Sequence, residues 1–267
     1  MYVGIDAGAS ATKALIINKK REIVSYSIVP SGVNFKASSK EALRKVLKTS
    51  DLTLRDVLYT VSTGYGRALV ESNSTSSEIT CISRGVHKFF SSVRTVIDVG
   101  GQDSKAVRIN ENGRVLNFVM NDKCAAGTGR FLEVMSNILG KPIHALGELH
   151  FKSSKPTKIS STCTVFAESE VISQISKGST IEDVIAGLHE AIAQRIYNMS
   201  SRIGIEKDVA FTGGVAKNQG FVDALSKRIG LTPKLPEEPQ IICALGAALA
   251  AIKRHEETIS RSDLQSR

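Results

Sequence analysis

Short apolar runs separated by polar turns dominate the start of the chain and predict a sheet. Three runs are too short for a helix and end at turn residues, so we interpret them as strands: Tyr2 to Asp6, Lys13 to Asn18 and Ile23 to Val29. Ser38 and Glu41 have the spacing of a capping box and predict a helix to about Lys48. A strand at Val57 to Ser62 then leads through the turn Thr63 to Arg67 into a helix. An apolar run that contains Cys81 predicts a strand at Ile79 to Ile82, before a helix at Ser83 to Phe90.

The pattern then starts again. Strands are predicted at Thr95 to Asp98, Lys105 to Ile109, Val115 to Val119 and Val209 to Thr212. Helices are predicted at Phe131 to Leu139, from the start Ser160-Ser161-Thr162-Cys163 onward, at Ile181 to Ile203 and from Cys243 onward. The apolar side of the helix after Cys163 is predicted to be Val165, Phe166, Val171, Ile172 and Ile175. Residues 141–159 are interpreted as a connection.

One loop motif, D-x-G-x-x-x-[ST]-K, occurs twice, 92 positions apart, at Asp6 to Lys13 and at Asp98 to Lys105. Each copy lies between two predicted strands and therefore predicts the turn of a β-hairpin. Glycines allow backbone N–H groups to approach phosphate oxygens, and the Ser/Thr and Lys side chains add donors and charge. The Asp residues are placed where a hydrated Mg²⁺ could bridge to phosphate. With Thr212-Gly213-Gly214 after a late strand, the pair favours nucleotide binding over ordinary turns.

The 267 residues, 42% of them hydrophobic, suffice for one large core or two smaller ones, and the repeat favours two. We predict a two-lobed α/β protein. Residues 1–92 with 243–256 form the first lobe, 93–242 the second, and 257–267 a polar tail. No apolar stretch reaches the length of a membrane span, and the chain enters a strand at once without a basic leader. We therefore expect a cytoplasmic protein without a membrane partner.

The net charge of +9 raises the question of nucleic-acid binding. Basic residues are scattered, aromatic residues make up only 5%, and tryptophan is absent. Proteins that stack bases interleave aromatic with basic side chains. A solvated basic surface, or one that contacts an acidic protein, is the better interpretation, and no nucleic-acid partner is expected.

Two of the four cysteines, Cys124 and Cys163, lie at the starts of predicted helices, whereas Cys81 and Cys243 fit the pattern of small buried apolar residues. Helix N-termini lower a thiol pKa, so each thiolate could be a metal ligand or a nucleophile. None of the five histidines forms a recognisable catalytic set with either cysteine. Two cysteines from each subunit of a symmetric dimer could hold one [4Fe–4S] cluster. Zinc could bind the same four thiolates, but a zinc site would leave the predicted nucleotide-binding loops without a process that ATP could drive.

These motifs together resemble those of one ATPase superfamily. The resemblance runs from Val3 to about Ile252 and depends on the segments Gly4 to Lys13, Thr63 to Arg67, Ile97 to Lys105, Met120 to Phe131, Ser160 to Glu170 and Thr212 to Asn218. The chain resembles the superfamily of acetate kinase, sugar kinases, heat-shock chaperone ATPases and actin. Within it, the chain is similar to activators of 2-hydroxyacyl-CoA dehydratases and to ATP-binding subunits of benzoyl-CoA reductases. The fold implied is the duplicated RNase H-like (actin-like ATPase) fold with nucleotide in the interlobe cleft.

The resemblance also implies roles for particular residues. Asp6 and Asp98 would hold Mg²⁺ and its waters, Lys13 would neutralise phosphate charge, and Gln102 would position the attacking water. ATP would be bound by Ala9, Ser10, Ala11, Thr12, Lys13, Gly100, Gly101, Gly213, Gly214 and Gln240. Cys124 and Cys163 would ligate one [4Fe–4S] cluster per homodimer. Many relatives have Ser where this chain has Ala9, so one hydroxyl contact is missing.

The activity implied is ATP-driven transfer of one low-potential electron. A reduced ferredoxin or flavodoxin would be the donor, and an iron–sulfur dehydratase or reductase of an anaerobic pathway the acceptor. One alternative is a small-molecule kinase of the same superfamily, which would leave both helix-start cysteines unexplained. Another is an actin-like assembly module, which would not need the cysteines.

Overall fold

The computed structural model describes residues 1–160 and 163–265. The strands are β1 (Tyr2–Ala7), β2 (Ala11–Ile17), β3 (Ile23–Pro30), β4 (Tyr59–Thr63), β5 (Ser74–Thr75), β6 (Thr95–Val99), β7 (Ser104–Ile109), β8 (Val115–Asn121) and β9 (Val209–Thr212). The helices are α1 (Phe35–Thr49), α2 (Glu78–Phe89), α3 (Gly129–Ile138), α4 (Leu146–His150), α5 (Thr164–Ser176), α6 (Ile181–Ser200), α7 (Gln219–Ile229) and α8 (Ile242–Gln265).

The chain divides into two compact units. Unit 1 comprises Met1–Ser91, Asn110–Val115 and the residues from Gln240 onward, and unit 2 comprises Ser92–Ile109 and Leu116–Pro239. The lobe boundaries expected from the sequence remain a prediction.

Unit 1 is a five-stranded sheet with helices on both faces. Its strand order is β3-β2-β1-β4-β5. Val3 and Ile5 of β1 pack on one face against Val46 of α1. On the other face, Leu15 and Val61 pack against the alanine-rich start of α8. Because side chains of a strand alternate between faces, this one sheet supports two separate cores.

Close backbone packing fixes α8 in unit 1. A Cβ atom at Gly4 of β1 would overlap the carbonyl oxygen of Ala244, and one at Gly246 would overlap the carbonyl oxygen of Cys81 in α2. Glycine at both positions therefore allows α8 to approach its neighbours more closely than any other residue would.

Unit 2 has a four-stranded sheet in the order β8-β7-β6-β9 and one continuous core. Its largest fully buried side chains include Phe131 of α3, Phe211 of β9 and Phe221 of α7. Ile192 of α6 belongs to the same core. The helices of this unit are thereby tied to the sheet that carries the second predicted phosphate loop.

The two units repeat the same register at the start of each sheet. In the antiparallel pair β1–β2, Asp6 lies opposite Lys13, and in β6–β7, Asp98 lies opposite Lys105. The parallel neighbours repeat as well, with Asp6 beside Thr63 and Asp98 beside Thr212. Both predicted hairpins are therefore confirmed.

Several sequence predictions about local structure are wrong. Residues Ile79 to Ile82 are part of α2, because Ser77 caps it by accepting the N–H of Thr80 at 3.2 Å and the buried positions follow helical spacing. The helix α1 begins before the predicted capping box, since Asn34 Oδ1 accepts the N–H of Ala37 at 3.0 Å. The turn after Thr63 leads to a single 3-10 turn, Arg67–Leu69, and residues 141–159 contain α4.

The predicted apolar side of α5 is only partly buried. Val171 lies in the core, whereas Val165, Phe166 and Ile172 are exposed by 66%, 68% and 52%. Ser161 and Thr162 at the predicted start of this helix, and residues 266–267 of the predicted tail, lie outside the described residues. Up to Gln265 the tail continues α8.

No helix in the described ranges is both long enough and apolar enough to span a bilayer.

Candidate functional site

The first loop joins β1 to β2 in unit 1 and brings an aspartate next to a lysine. Asp6 is buried, and its Oδ2 accepts a hydrogen bond from Lys13 Nζ at 3.0 Å. Ser10 at the tip is exposed, while Ala9 and Ala11 are half-buried. Lys13, which is predicted to neutralise phosphate charge, is therefore already paired with the Asp6 carboxylate.

Thr12 supports this loop from beneath. Its buried hydroxyl lies 2.8 Å from Ser31 Oγ and 3.1 Å from Ser38 Oγ. Ser31 in turn donates its hydroxyl to Gly8 O at 2.5 Å and its N–H to Ser10 O at 3.1 Å. The loop is thus tied to the segment that follows β3, and the predicted contact of Thr12 with nucleotide remains a prediction.

The second loop joins β6 to β7 in unit 2 and holds a larger charge cluster. Lys105 Nζ donates to Asp103 Oδ2 at 2.6 Å and lies 4.0 Å from Asp98 Oδ2. Thr212 Oγ1 donates to Asp98 Oδ1 at 2.7 Å. Gln102, the predicted water-positioning residue, is exposed at the tip. Asp103, Lys105 and Thr212 were not among the predicted site residues, although the repeat of Lys13 as Lys105 was visible in the sequence.

The glycine turn after β9 lies against this second loop. Gly213 has a φ of +87°, and a Cβ atom there would overlap the carbonyl oxygen of Val99. Its N–H donates to Pro239 O at 3.1 Å, one residue before Gln240. Gly214 is exposed and starts a 3-10 turn. The structure thus brings Gly100, Gly101 and Gly213 together in unit 2, whereas Ala9 to Lys13 and Gln240 belong to unit 1.

Contrary to the prediction from the sequence, Cys124 does not lie at a helix start. It is exposed in a tight loop after β8, because α3 begins only at Gly129 with Thr128 as its N-cap residue. Asn121 holds this loop: its Nδ2 donates to Cys124 O at 2.9 Å and to Ala126 O at 3.2 Å, and its Oδ1 accepts the N–H of Cys124 at 3.3 Å. The backbone of Cys124 is therefore fixed while its sulfur remains accessible.

Cys163, also exposed, is the N-cap residue of α5 and comes directly before its first turn. Its carbonyl accepts the N–H of Ala167 at 2.9 Å. The preceding chain is anchored to the same helix, because Glu170 accepts the N–H of Ser160 at 2.9 Å and its hydroxyl at 2.9 Å. Backbone N–H groups at a helix start stabilise a thiolate there.

Arg195 of α6 links the two cysteines electrostatically. Burial lowers the pKa of this guanidinium, and the nearby sulfurs of Cys124 and Cys163 oppose that shift. The guanidinium carbon lies 5.2 Å from the centre of the Phe131 ring. One cation thus lies within electrostatic reach of both thiols, an arrangement that the sequence pattern did not reveal because α6 is distant in the chain.

Two thiols are half of the ligand set that a [4Fe–4S] cluster requires. Within residues 1–160 and 163–265, no group of three or more His, Cys, Asp or Glu side chains converges on a common metal position. Two exposed cysteines, one in the loop before α3 and one at the start of α5, with a cation nearby, nevertheless fit a cluster that a second copy would complete with the same two residues.

One protein family matches nearly the whole chain. The sequence profile of the BadF/BadG/BcrA/BcrD ATPase family matches residues 3–251. The chain belongs to this family. It is 46% identical over 254 residues to the (R)-2-hydroxyglutaryl-CoA dehydratase activating ATPase of Acidaminococcus fermentans, covering 94% of this chain and 97% of that one. It is 29% identical over 266 residues to one of the subunits of benzoyl-CoA reductase from Thauera aromatica, covering 95% and 94%.

A solved structure agrees over nearly the whole chain. The activator of 2-hydroxyisocaproyl-CoA dehydratase from Clostridium difficile, solved with bound ADPNP, superposes with a TM-score of 0.93 at 42% identity and covers 98% of both chains. The resemblance stated from the sequence and the predicted fold class are therefore confirmed. This family member has the fold of dehydratase activators, and its relatives are ATPases.

Proposed function

We propose that this family member is an ATP-hydrolysing activator that reduces a partner dehydratase or reductase by one low-potential electron. The observation that carries the proposal is the coincidence, in one chain, of a repeated Asp–Lys hairpin and two exposed cysteines, one in the loop before α3 and one at the N-cap of α5. Its relatives support the proposal, since they activate dehydratases or belong to a benzoyl-CoA reductase.

The two loops would share the work of binding and hydrolysing ATP. Asp6 and Asp98 would hold Mg²⁺ through its waters, Lys13 would neutralise phosphate charge, and Gln102 would orient the attacking water. Backbone N–H groups of Ala9 to Thr12 and of Gly100 and Gly101 would bind phosphate oxygens. Gly213, Gly214 and Gln240 would bind the nucleoside.

Cys124 and Cys163 would be the protein ligands of the redox group, two from each subunit of a homodimer. A [4Fe–4S] cluster supplies one-electron chemistry at a potential that charge, hydrogen bonds and solvent exposure set. Arg195 would offset part of the negative charge of the bound group and its ligands, because its guanidinium lies near both sulfurs.

Exposed apolar side chains flank both cysteines and support the homodimer. Leu116, Phe118 and Met120 alternate along β8 and are exposed by 60%, 49% and 40%. Val165 and Phe166 lie two and three residues after Cys163 and are exposed as well. Apolar side chains that cluster on a surface mark a place where another protein packs. A second copy that shares the cysteines would cover them.

The partners would be an iron–sulfur dehydratase or reductase as acceptor and a reduced ferredoxin or flavodoxin as donor. The reaction would take place in the cytoplasm of a cell that grows without oxygen. Nucleotide can change a redox potential only if it binds two conformations of the protein with different affinities. Hydrolysis of ATP would then make the electron transfer one-way.

Anaerobic purification tests this proposal. We expect a brown dimer with about four iron atoms per two chains and with ATPase activity. Cys124→Ser and Cys163→Ser should each remove the iron and the visible absorption, whereas ADP affinity should change little because neither cysteine belongs to a phosphate loop. Cys243→Ser is the matched control and should keep its iron. A colourless monomer after reconstitution with iron and sulfide would overturn the proposal.

A further inference from the structure

The first turn of α3 is hydrogen-bonded to the second phosphate loop. The N–H of Gly129 donates to Gly100 O at 2.8 Å, and the N–H of Arg130 donates to Gly101 O at 2.7 Å. The first N–H groups of a helix have no partner within the helix. Here two of them are satisfied by the loop that the proposed function assigns to phosphate.

These two bonds also fix where the loop amides point. In a trans peptide the C=O and the following N–H point in opposite directions. Because the carbonyls of Gly100 and Gly101 face α3, the N–H groups of Gly101 and Gln102 face away from it. The helix thereby holds two neighbouring N–H groups in the parallel orientation that binds an anion.

Position 129 leaves little room for a side chain at this contact. A Cβ atom there would lie 3.1 Å from Gly100 O and 3.3 Å from Gly101 Cα. Both are backbone atoms of the phosphate loop, so a methyl group would have to displace the loop from the helix by a few tenths of an ångström.

The segment between Cys124 and this helix turn is held by hydrogen bonds. Thr128 donates its N–H to Ala125 O at 3.1 Å and its hydroxyl to the same oxygen at 2.7 Å. Asn121 bonds the carbonyls of Cys124 and Ala126. Hydrogen bonds therefore hold the backbone from Cys124 to Gly129 at both ends and in the middle.

We propose that Gly129 and Asn121 are positioning residues that couple the second phosphate loop to Cys124. This inference rests on the proposed function and adds the route by which phosphate occupancy reaches one of the proposed cluster ligands. When the loop amides bind phosphate, the loop carbonyls shift against α3, and the segment clamped by Asn121 moves with the helix. A ligand shifts such an equilibrium only through a contact that differs between two states, and the Gly100–Gly129 and Gly101–Arg130 bonds are that contact.

Hydrogen exchange on the full-length, anaerobically purified protein tests the coupling. Exchange is measured in peptides covering residues 98–105 and 121–130, with and without a non-hydrolysable ATP analogue. In the unmodified protein, the analogue should slow exchange in both segments by about threefold or more. In Gly129→Ala, at analogue concentrations that titration shows to be saturating, the segment 121–130 should lose this response. Asn137→Ala, an exposed position on the same helix, is the matched control and should respond like the unmodified protein.

A second variant separates the clamp from the helix contact. Asn121→Asp keeps the side-chain size but removes the amide that donates to Cys124 O and Ala126 O. The analogue should still slow exchange in 98–105 but no longer in 121–126. Asn117→Asp places the same charge on an exposed position of β8 and should leave both responses intact.

The outcomes distinguish this inference from the proposed function. If Gly129→Ala and Asn121→Asp keep the full response in 121–130, or if the unmodified protein has none, the coupling is overturned. Iron content of the same unmodified sample decides the proposed function separately. Iron release to a ferrous chelator then adds a second readout: the ratio of rates with and without analogue should fall to about one in Gly129→Ala.

Discussion

The Asp98 carboxylate in the second loop is approached by two polar side chains, Thr212 and Lys105. Thr212 donates to one carboxylate oxygen at 2.7 Å, and Lys105 lies 4.0 Å from the other. A carboxylate held from two sides is preorganised, so it can bind a hydrated cation without reorienting.

Asp98→Asn should therefore lower the rate of ATP hydrolysis by about a hundredfold at saturating Mg²⁺–ATP, because the metal proposed to stabilise the developing phosphate charge would be held less well. Phosphate release measures this rate. Thr212→Val keeps the carboxylate and removes only one hydrogen bond, so its loss should be clearly smaller. An Asp98→Asn protein that hydrolyses ATP at the unmodified rate would contradict the role of this residue.

Glu170 anchors the segment that precedes Cys163, the second proposed cluster ligand. Its carboxylate accepts both the N–H and the hydroxyl of Ser160, three residues before Cys163. Glu170→Gln should loosen this anchor and speed the release of iron to a chelator by about fivefold, given the worth of a hydrogen bond to a charged group. Glu168→Gln removes the same charge from the same helix and serves as control. Equal release rates in the two variants would show that the anchor has no effect on the ligand loop.

At the residue scale, the sequence could predict positions where a motif is repeated but not contacts between distant parts of the chain. The matching places of Asp6, Lys13 and Asp98 in two hairpins follow from one shared pattern, and the roles of these residues in binding Mg²⁺–ATP stay predictions. Thr212 was visible only as part of a glycine turn. Arg195 and Glu170 are ordinary charged helix residues in the sequence, and only the packing of α5 and α6 places them near cysteines.

At the scale of elements, α4, α6 and α7 share a directed chain of hydrogen bonds. Asn218 Nδ2 lies 3.0 Å from His189 Nε2, His189 Nδ1 lies 3.2 Å from His150 Nδ1, and His150 Nε2 lies 3.1 Å from Asp223 Oδ2. Asn218 Oδ1 accepts the N–H of Phe221, so its amide is the donor to His189. His189 then donates to His150, and His150 to Asp223.

This chain requires a neutral His189. Burial, with the charge of His150 as the second cause, lowers the pKa of His189 to about 3. In the unfolded chain it would titrate near 6.5. The unfolded state therefore binds more protons between these two values, and stability is complete above about pH 6.5 and falls as the pH decreases toward 3.

Urea unfolding between pH 7 and 5 measures the effect. The unmodified protein should lose at most about 1.4 kcal/mol per pH unit through this group, and His189→Gln should show a shallower pH dependence even though it is less stable at pH 7. His144→Gln removes an exposed histidine and should keep the original slope. A slope unchanged by His189→Gln would show that another group controls acid unfolding.

Prediction of elements worked best for long periodic segments. The helix α6 and the three strands that open each sheet were found nearly at their bounds, because their apolar spacing is regular. The strand predicted at Ile79 to Ile82 was wrong because four apolar or small residues in a row fit a strand and a helix equally, and only the cap at Ser77 and the contact with α8 decide for the helix.

At the scale of the whole molecule, the exposed apolar side chains near the cysteines would form the contact of the proposed homodimer. Phe166→Glu and Phe118→Glu should each raise the dimer dissociation constant by about 30-fold, because a charge would be buried at a contact. Sedimentation of the anaerobic protein measures this constant. Phe89→Glu changes an equally aromatic side chain, 44% exposed on α2 of unit 1, and should not affect the dimer.

Equal dissociation constants for Phe89→Glu and Phe166→Glu would place the contact elsewhere. The sequence could predict two halves, since the repeat is visible in it, whereas the symmetric dimer inferred from the half-complete ligand set stays a prediction. The sequence could not predict which apolar side chains are exposed, because Val165, Phe166 and Ile172 have the same spacing as core residues.

The edge strand β8 has a consequence for handling the protein. In the described part of the chain its sheet neighbour is β7 on one side, and its sequence, Val-Leu-Asn-Phe-Val-Met-Asn, contains neither charge nor proline. Those are the usual safeguards of a sheet border against joining strands of other molecules. Isolated protomers at high concentration should therefore precipitate through strand-to-strand association, and a lysine in place of Asn117 should keep them in solution.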